Sequence, residues 1–253
     1  MAAPRPSGDR LAYRASGGVS IRSITAPLAT PTSINVVPRT RSEIMNRVIN
    51  IVLATLAIII LAPIFLLVAL VVWLTSPGPV LYTQDRVGID RRSRRALALY
   101  DRRGSDHGGS VFTIYKFRSM RCDAEQHSGA VWATQNDPRV TAVGKFLRKT
   151  RLDELPQLFN VIKGDMNIVG PRPERPMIFA RLRQDITEYP LRQRAKPGIT
   201  GWAQVNLAYD STIEDVRKKV DLDLEYLRRQ GVIEDVRIML RTVPVMLFKR
   251  GGW

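Results

Sequence analysis

The sequence predicts an α+β chain that is mostly helical. A re-entrant membrane helix–break–helix precedes a small domain with one short β-hairpin and amphipathic interfacial helices. Three observations predict it. From Val48 to Leu74 no residue is charged, and Pro63 interrupts that run near its middle. The segments VLYTQDRVG and VFTIYKFRSM are rich in β-branched and aromatic residues, the composition of strands. Beyond them, short stretches of helical apolar period alternate with Pro and Gly, the pattern of helices joined by turns.

Residues 1–43 are rich in Pro, Ser, Thr, Ala and Arg and show no hydrophobic period, so they read as a disordered basic N-terminal tail. The apolar core and cleavage site of a signal peptide are both missing there. Residues 44–75 are the hydrophobic segment, and an apolar run above about 18 residues ordinarily reads as a transmembrane helix. Pro63 removes one backbone hydrogen bond and kinks such a helix. Each half then has roughly 12–15 residues, about 20 Å at ~1.5 Å per residue, which is the depth of one leaflet. Both flanks are basic, with Arg39, Arg41 and Arg47 before and Arg86, Arg91, Arg92, Arg94 and Arg95 after. The charge asymmetry that orients a span is therefore missing. A helix that enters and leaves on the cytosolic side satisfies all three features; a spanning helix is the alternative.

Residues 76–253 read as one cytosolic domain. Ser76-Pro77-Gly78-Pro79 stops the hydrophobic run, and the two strand segments follow, separated by a basic, Gly/Ser-rich insertion at 90–110 that reads as a mobile loop. A helix is expected over Ile213–Arg229, with Val216, Val220, Leu224 and Leu227 on one face. The C-terminal stretch DVRIMLRTVPVMLFKRGGW is amphipathic, interrupted by Pro244, and ends in Lys249, Arg250 and Trp253. It suits a membrane interface or an ordinary packed helix.

A formal net charge of +16 and a pI near 10.7 call for an anionic partner. Nucleic acid would explain the charge but not the hydrophobic segment, and no nucleic-acid reading module is recognisable. Cys122 is the single cysteine, which excludes an internal disulfide and a cysteine-based zinc site, and His107 and His127 lack metal-ligand spacing. A Walker loop, a dinucleotide glycine fingerprint, HExxH and a nucleophile-elbow serine are all missing.

What does cluster is charge around RLDELPQL. Locally, Asp153 reads as the cap of a helix, with Pro156 in its first turn, Leu155, Leu158, Phe159 and Ile162 on one face, and Gly164 as its end. An acidic pair at a helix start also complements the helix dipole. The neighbours favour a chemical role: Lys116 and Arg118 in YKFRSM, Arg148 and Arg151 before the pair, Arg172 and Arg175 in GPRPERP. Proline on both sides of Arg172 fixes φ and holds the guanidinium as a preformed fork for phosphate. Adjacent carboxylates among cations suit Mg²⁺ bound by one or two carboxylates plus substrate phosphates. The constellation points to phosphoryl chemistry on an anionic substrate at a membrane.

YKFRSM, NDPRVTAVGKFLRKTRLDELPQLFNVIKGDM, VGPRPERP and KPGITGWAQVN, in that order, resemble the consecutive motifs of the bacterial sugar transferases, the monotopic polyprenyl-phosphate phosphoglycosyltransferases. The similarity runs from about Met45 to Lys249. It implies transfer of a sugar-1-phosphate from a nucleotide sugar, usually a UDP-sugar, to undecaprenyl phosphate with release of UMP. That is the first membrane step of exopolysaccharide, capsule or O-antigen assembly. The implied location is the bacterial inner membrane, in contact with its lipid, with the catalytic domain on the cytoplasmic face; homo-oligomerisation stays open.

The resemblance also implies roles. Asp153 falls on the family's nucleophile, which would form an aspartyl-phosphosugar. Glu154 falls on its neighbour, implicated with Asp153 in Mg²⁺ binding and in activating the aspartate. Lys116, Arg148 and Arg172 match basic positions associated with phosphate. Asp223 matches an acidic position near the active site, a solvated helix carboxylate being the alternative, and Trp202 is either a packed aromatic or a substrate contact. Two departures stand out: Ala62-Pro63 replaces a frequent Ser-Pro break, and the 90–110 insertion replaces a short hairpin. Members often carry further N-terminal transmembrane helices and a soluble domain, for which 253 residues are expected to leave no room. The competing function is a non-enzymatic, membrane-tethered component of a polysaccharide assembly complex, which the intact carboxylate pair argues against.

Overall fold

In the computed structural model, the chain divides into Met1–Ile34 and Asn35–Trp253. The structure describes residues 36–90, 108–124, 137–207 and 212–247. The Gly/Ser-rich insertion, both histidines and the Lys249–Trp253 end lie almost wholly or wholly outside these residues.

Helix α1 (Glu43–Thr75) is capped by the Ser42 hydroxyl, which accepts from the Met45 N–H, and it runs through Pro63 as one element. The expected break between two helices is thus a proline inside a continuous helix. It is the one helix among the described residues long and apolar enough to cross a membrane. Its inner face is narrow. Arg47 donates to the carbonyls of Val161 and Ile162, and Asn50 Oδ1 accepts from Ile168 N at 2.7 Å. Ala54, Val68 and Val72 enter two core clusters. Phe65 meets Phe117 and Phe159 edge-on, with ring centroids 5.7 and 5.9 Å apart. The remaining face stays apolar and open: Ile60, Leu66, Leu67, Trp73 and Leu74 are all exposed.

The hairpin expected from the two β-rich segments is present. Strands β1 (Leu81–Val87) and β2 (Val111–Phe117) pair antiparallel, with Tyr82 opposite Lys116 and Arg86 opposite Phe112. Then come α2 (Ala142–Lys149), a 3₁₀ turn (Leu152–Glu154) and α3 (Gln157–Lys163), which Gly164 ends at φ 95°. That left-handed cap is where glycine is needed.

Strand β3 (Asn167–Val169) pairs parallel with β4 (Gly198–Thr200), a contact with no advance signal in such short runs. A Cβ on Gly198 would stand 2.1 Å from the Gly170 nitrogen, so the two segments approach as only glycine allows. Helices α4 (Pro176–Asp185), α5 (Trp202–Asn206), α6 (Ile213–Arg229) and α7 (Val232–Leu247) complete the body, with a second 3₁₀ segment at Tyr189–Arg194. Helix α6 has the expected bounds and buries the four residues of its expected face beside Phe179, Tyr189 and Ile238.

One boundary moves. Residues 36–42, expected to belong to the tail, run along the body. Val36 is fully buried, Arg39 N donates to Leu227 O at 2.9 Å, and Arg41 pairs with Asp235. The composition of this stretch continues that of the tail, but Val36 supplies an apolar anchor and Arg41 a charge partner. The basic flank is spent in the same way. Arg41, Arg47 and Arg86 all bind protein groups.

Candidate active site

Arg151 has φ 59°, the one non-glycine residue in the left-handed region among those described. Such a conformation costs about 1–2 kcal/mol, and strain of this kind concentrates at functional sites. Here it turns the chain sharply, so that Asp153 and Glu154 on the 3₁₀ turn point inward and are each 6% exposed. The turn differs from the local expectation. Asp153 is not a helix cap: α3 begins after Pro156 without a side-chain cap, and Asp153 Oδ1 is buried with no hydrogen-bond partner among the described residues. Tertiary cations, rather than free helix N–H groups, decide where this carboxylate points.

Glu154 is the hub of those cations. Its Oε1 accepts from Lys116 Nζ at 2.9 Å and from an Arg172 guanidinium nitrogen at 2.6 Å, and Arg151 stands at 3.8 Å. Burial pushes Glu154 up, but Arg172, Lys116 and Arg151 together hold it well below the usual carboxylate range. Asp153 moves the other way. Burial raises it, Lys116 at 4.0 Å opposes the rise, and the ionised Glu154 beside it adds to it. Two adjacent carboxylates are thus pushed in opposite directions by their environment, Glu154 toward the ionised form and Asp153 away from it, the kind of separation that marks a candidate functional site.

The pair opens into a cavity of about 520 Å³ lined by ten Arg and Lys side chains and three carboxylates. That imbalance suits multiply charged phosphates and explains where part of the +16 charge goes. Lys116, Arg148 and Arg172 all line it. Asp223 does not. It is 2% exposed and sits against the fully buried Arg192, whose Nε and Nη2 approach its Oδ2 at 2.9 and 2.6 Å. Arg192 also donates to the Tyr189 hydroxyl and, at 3.0 Å, to the backbone carbonyl of Arg172. Asp223 is therefore neither a solvated helix carboxylate nor a group lining the cavity. Through Arg192 it braces the loop that presents Arg172.

Trp202 is packed rather than presented. It donates to Glu225 at 2.9 Å, and the guanidinium groups of Arg237 and Arg241 lie over its ring. Sequence reasoning passed over Arg192, Arg86 and Glu174. Arg86 pairs with Glu174 at 3.6 Å and lines the cavity, although it looks like a membrane-flanking charge in the sequence. Alternation along β1, which places Tyr82, Gln84 and Arg86 on one face, was the signal available for it.

No cluster of three His, Cys, Asp or Glu side chains suited to a metal is found among the described residues. A magnesium ion needs only one or two carboxylates when substrate phosphates supply the rest. The buried, unpartnered Oδ1 of Asp153 fits that requirement. Glu154, already engaged by Lys116 and Arg172, fits it less well than expected.

The family model described as "Bacterial sugar transferase" matches residues 41–249. The "UDP-glucose:undecaprenyl-phosphate glucose-1-phosphate transferase" of Escherichia coli (strain K12) is 44% identical over 204 residues, covering 80% of this chain and 40% of that protein. The "UDP-N-acetylgalactosamine-undecaprenyl-phosphate N-acetylgalactosaminephosphotransferase" of Aeromonas hydrophila is 40% identical over 80% of this chain and 44% of its own length. The "Exopolysaccharide production protein PSS" of Rhizobium leguminosarum bv. phaseoli is 35% identical over 83% of this chain and 98% of its own. The chain thus spans about two-fifths of the length of the first two relatives.

Proposed function

Because the chain belongs to the bacterial sugar transferase family, we propose that it transfers a sugar-1-phosphate from a UDP-sugar to undecaprenyl phosphate at the cytoplasmic face of the inner membrane, initiating assembly of an exopolysaccharide-type glycan. The names of its relatives support the substrate classes. The observation that carries the chemistry is Asp153: a buried carboxylate with an unpartnered oxygen, beside a cation-clamped Glu154, in a positively lined cavity.

In the first step an Asp153 carboxylate oxygen attacks the sugar-bearing phosphorus. The bond from that phosphorus to the bridging oxygen breaks, and UMP departs with the electron pair. In the second, a phosphate oxygen of the lipid attacks the same phosphorus and the acyl-phosphate bond breaks, returning Asp153 as a carboxylate. Lys116, Arg148 and Arg172 neutralise charge on the phosphates, and Glu154 holds Lys116 and Arg172 in place. Magnesium held by Asp153 and by substrate phosphates would add charge neutralisation at the reacting group.

The re-entrant topology belongs to the same proposal. Arg47 and Phe65 are 18 residues apart, about 27 Å of straight helix. Both reach α3, whose seven residues cover only about 10 Å. Contacts continue to Val72, and Ser76 O accepts from Arg118. A helix fastened to one polar body near both ends does not carry one end across a bilayer. The helix therefore lies along the body with its open apolar face toward one leaflet, and Pro63, next to the Phe65 anchor, is the point where it can bend. Thiol labelling of Thr40→Cys and Asp85→Cys in intact cells, with Cys122→Ser as background, tests it. Both positions should be protected from an impermeant reagent, and labelling at position 40 alone would replace the re-entrant arrangement by a span.

Activity is tested by supplying membranes that contain the chain with a panel of UDP-sugars, with and without undecaprenyl phosphate. UMP release together with a lipid-linked sugar is expected for at least one of them. No release from any UDP-sugar would sink the assignment.

A further inference from the structure

Strand β1 is a ruler along the cavity. Tyr82, Gln84 and Arg86 line it in alternation, spanning about 13 Å at ~3.3 Å per residue. At the Tyr82 end the opposite residue is Lys116, whose ammonium reaches Glu154. This end adjoins the exit of α1, where Arg118 binds Ser76 O. At the other end Arg86 pairs with Glu174, and Val87 N donates to Glu174 O at 2.8 Å. The cavity therefore has a reacting end near the membrane helix and an arm that continues past Arg172.

Displacement at phosphorus sets the entering and leaving oxygens roughly in line. If UMP leaves opposite Asp153, the lipid phosphate that later displaces Asp153 must arrive from that same side. One anion subsite then serves both, and it has to open toward α1, because the acceptor phosphate is tethered to an apolar chain. The sugar is left with the other direction.

Building on the phosphotransferase reading above, we propose that the arm beyond Arg172 receives the sugar ring, and that Glu174 selects among sugars by accepting hydrogen bonds from ring hydroxyls. The arm is composed for such a guest. Glu174 stands 3.6 Å from Arg86, and although burial pushes it up, Lys219, Arg86 and Arg192 keep it below the usual carboxylate range, which favours the form that accepts hydrogen bonds. Gln204 Oε1 is buried there with no partner among the described residues, and Ile178 and Val216 offer an apolar wall to the C–H face of a pyranose. A site built to bond a hydroxyl discriminates strongly against a sugar that lacks or inverts it.

The test uses the full chain in membranes with UDP-glucose, UDP-galactose, UDP-N-acetylglucosamine and UDP-N-acetylgalactosamine. Glu174→Gln should compress the kcat/KM ratio between the best and second-best sugar by about tenfold or more, with inhibition by UMP moved less than about twofold. Lys219→Gln, a milder change to the same arm, should shift the ratio in the same direction and guards against a Glu174 variant that fails to fold. Equal losses for every sugar with an unmoved ratio would overturn the assignment. So would a large change in UMP inhibition, which would put the nucleoside in the arm. Absence of turnover by the unmodified chain would instead overturn the phosphotransferase reading beneath it.

Discussion

Two clusters of buried charge lie on either side of the Arg172 loop, and they are built to opposite ends. Around Asp223, one arginine meets one carboxylate, a tyrosine hydroxyl and a backbone carbonyl, with Arg192 fully buried and every nitrogen of its guanidinium bonded. Around Asp153, three cations crowd one glutamate while the neighbouring aspartate, in the cavity wall, keeps a buried oxygen with no hydrogen-bond partner among the described residues. A closed, charge-balanced cluster has nothing left to offer a ligand. An unbalanced cluster with an orphaned oxygen is incomplete until substrate arrives. Burial alone would not have distinguished them; the accounting of partners does.

The largest effect is expected at Asp153. Asp153→Asn keeps the shape and removes the attacking anion, so turnover should fall by about 10⁴-fold or more with thermal stability nearly unchanged. Glu154→Gln should lose less, because it loosens Lys116 and Arg172 without deleting the nucleophile. Steady-state UMP release with a parallel thermal melt checks both. In the closed cluster the order reverses. Asp223→Asn leaves Arg192 buried and uncompensated, at a cost of about 3–5 kcal/mol of stability. Activity should fall mainly through the displaced Arg172 carbonyl. A melting shift smaller than that of Asp153→Asn would mean that the two clusters have been assigned the wrong way round.

The smallest effect sharpens the electrostatic half of the contrast. The proposed attack needs Asp153 ionised, and because burial raises its pKa, activity should fall on acidification while the pH is still above the ordinary aspartate value of about 3.9. Lys116 opposes that rise. Lys116→Met should therefore move the acid limb of the kcat/KM profile to higher pH, beyond its effect on the plateau rate. A limb that stayed in place, or moved to lower pH, would show that the limb belongs to another group.

Much of this was legible in the sequence wherever local chemistry decides. β-branched runs marked β1 and β2, a helical period marked α6 with its buried face, and Gly164 marked the end of α3. The motif residues Lys116, Arg148, Asp153, Glu154 and Arg172 do line one cavity. What escaped was decided by distant partners. Arg192 sits in YPLRQR, a stretch with the look of a solvated surface, and is buried only because Asp223, 31 residues on, supplies its counter-charge. Arg86 read as a membrane flank because its partner Glu174 is 88 positions away. Asp153 read as a cap because capping is the commonest local use of that residue, and local rules do not see Lys116. Val36 to Ser42 share the tail's composition, and only contacts with distant residues, Arg194, Leu227, Gln230 and Asp235, set them apart.

The proposed mechanism rests on Asp153 itself carrying the phosphosugar between two substrates. Its most direct test is the intact mass of the chain quenched in acid after UDP-sugar is added without lipid, followed by peptide mapping. UMP should be released in an amount stoichiometric with enzyme, and the peptide containing Asp153 should gain the mass of one sugar-phosphate. The added mass should disappear when undecaprenyl phosphate is supplied, and should be missing in Asp153→Asn. No UMP without lipid and an unmodified chain, alongside full turnover when lipid is present, would contradict it. Direct attack by the lipid phosphate would then be the mechanism.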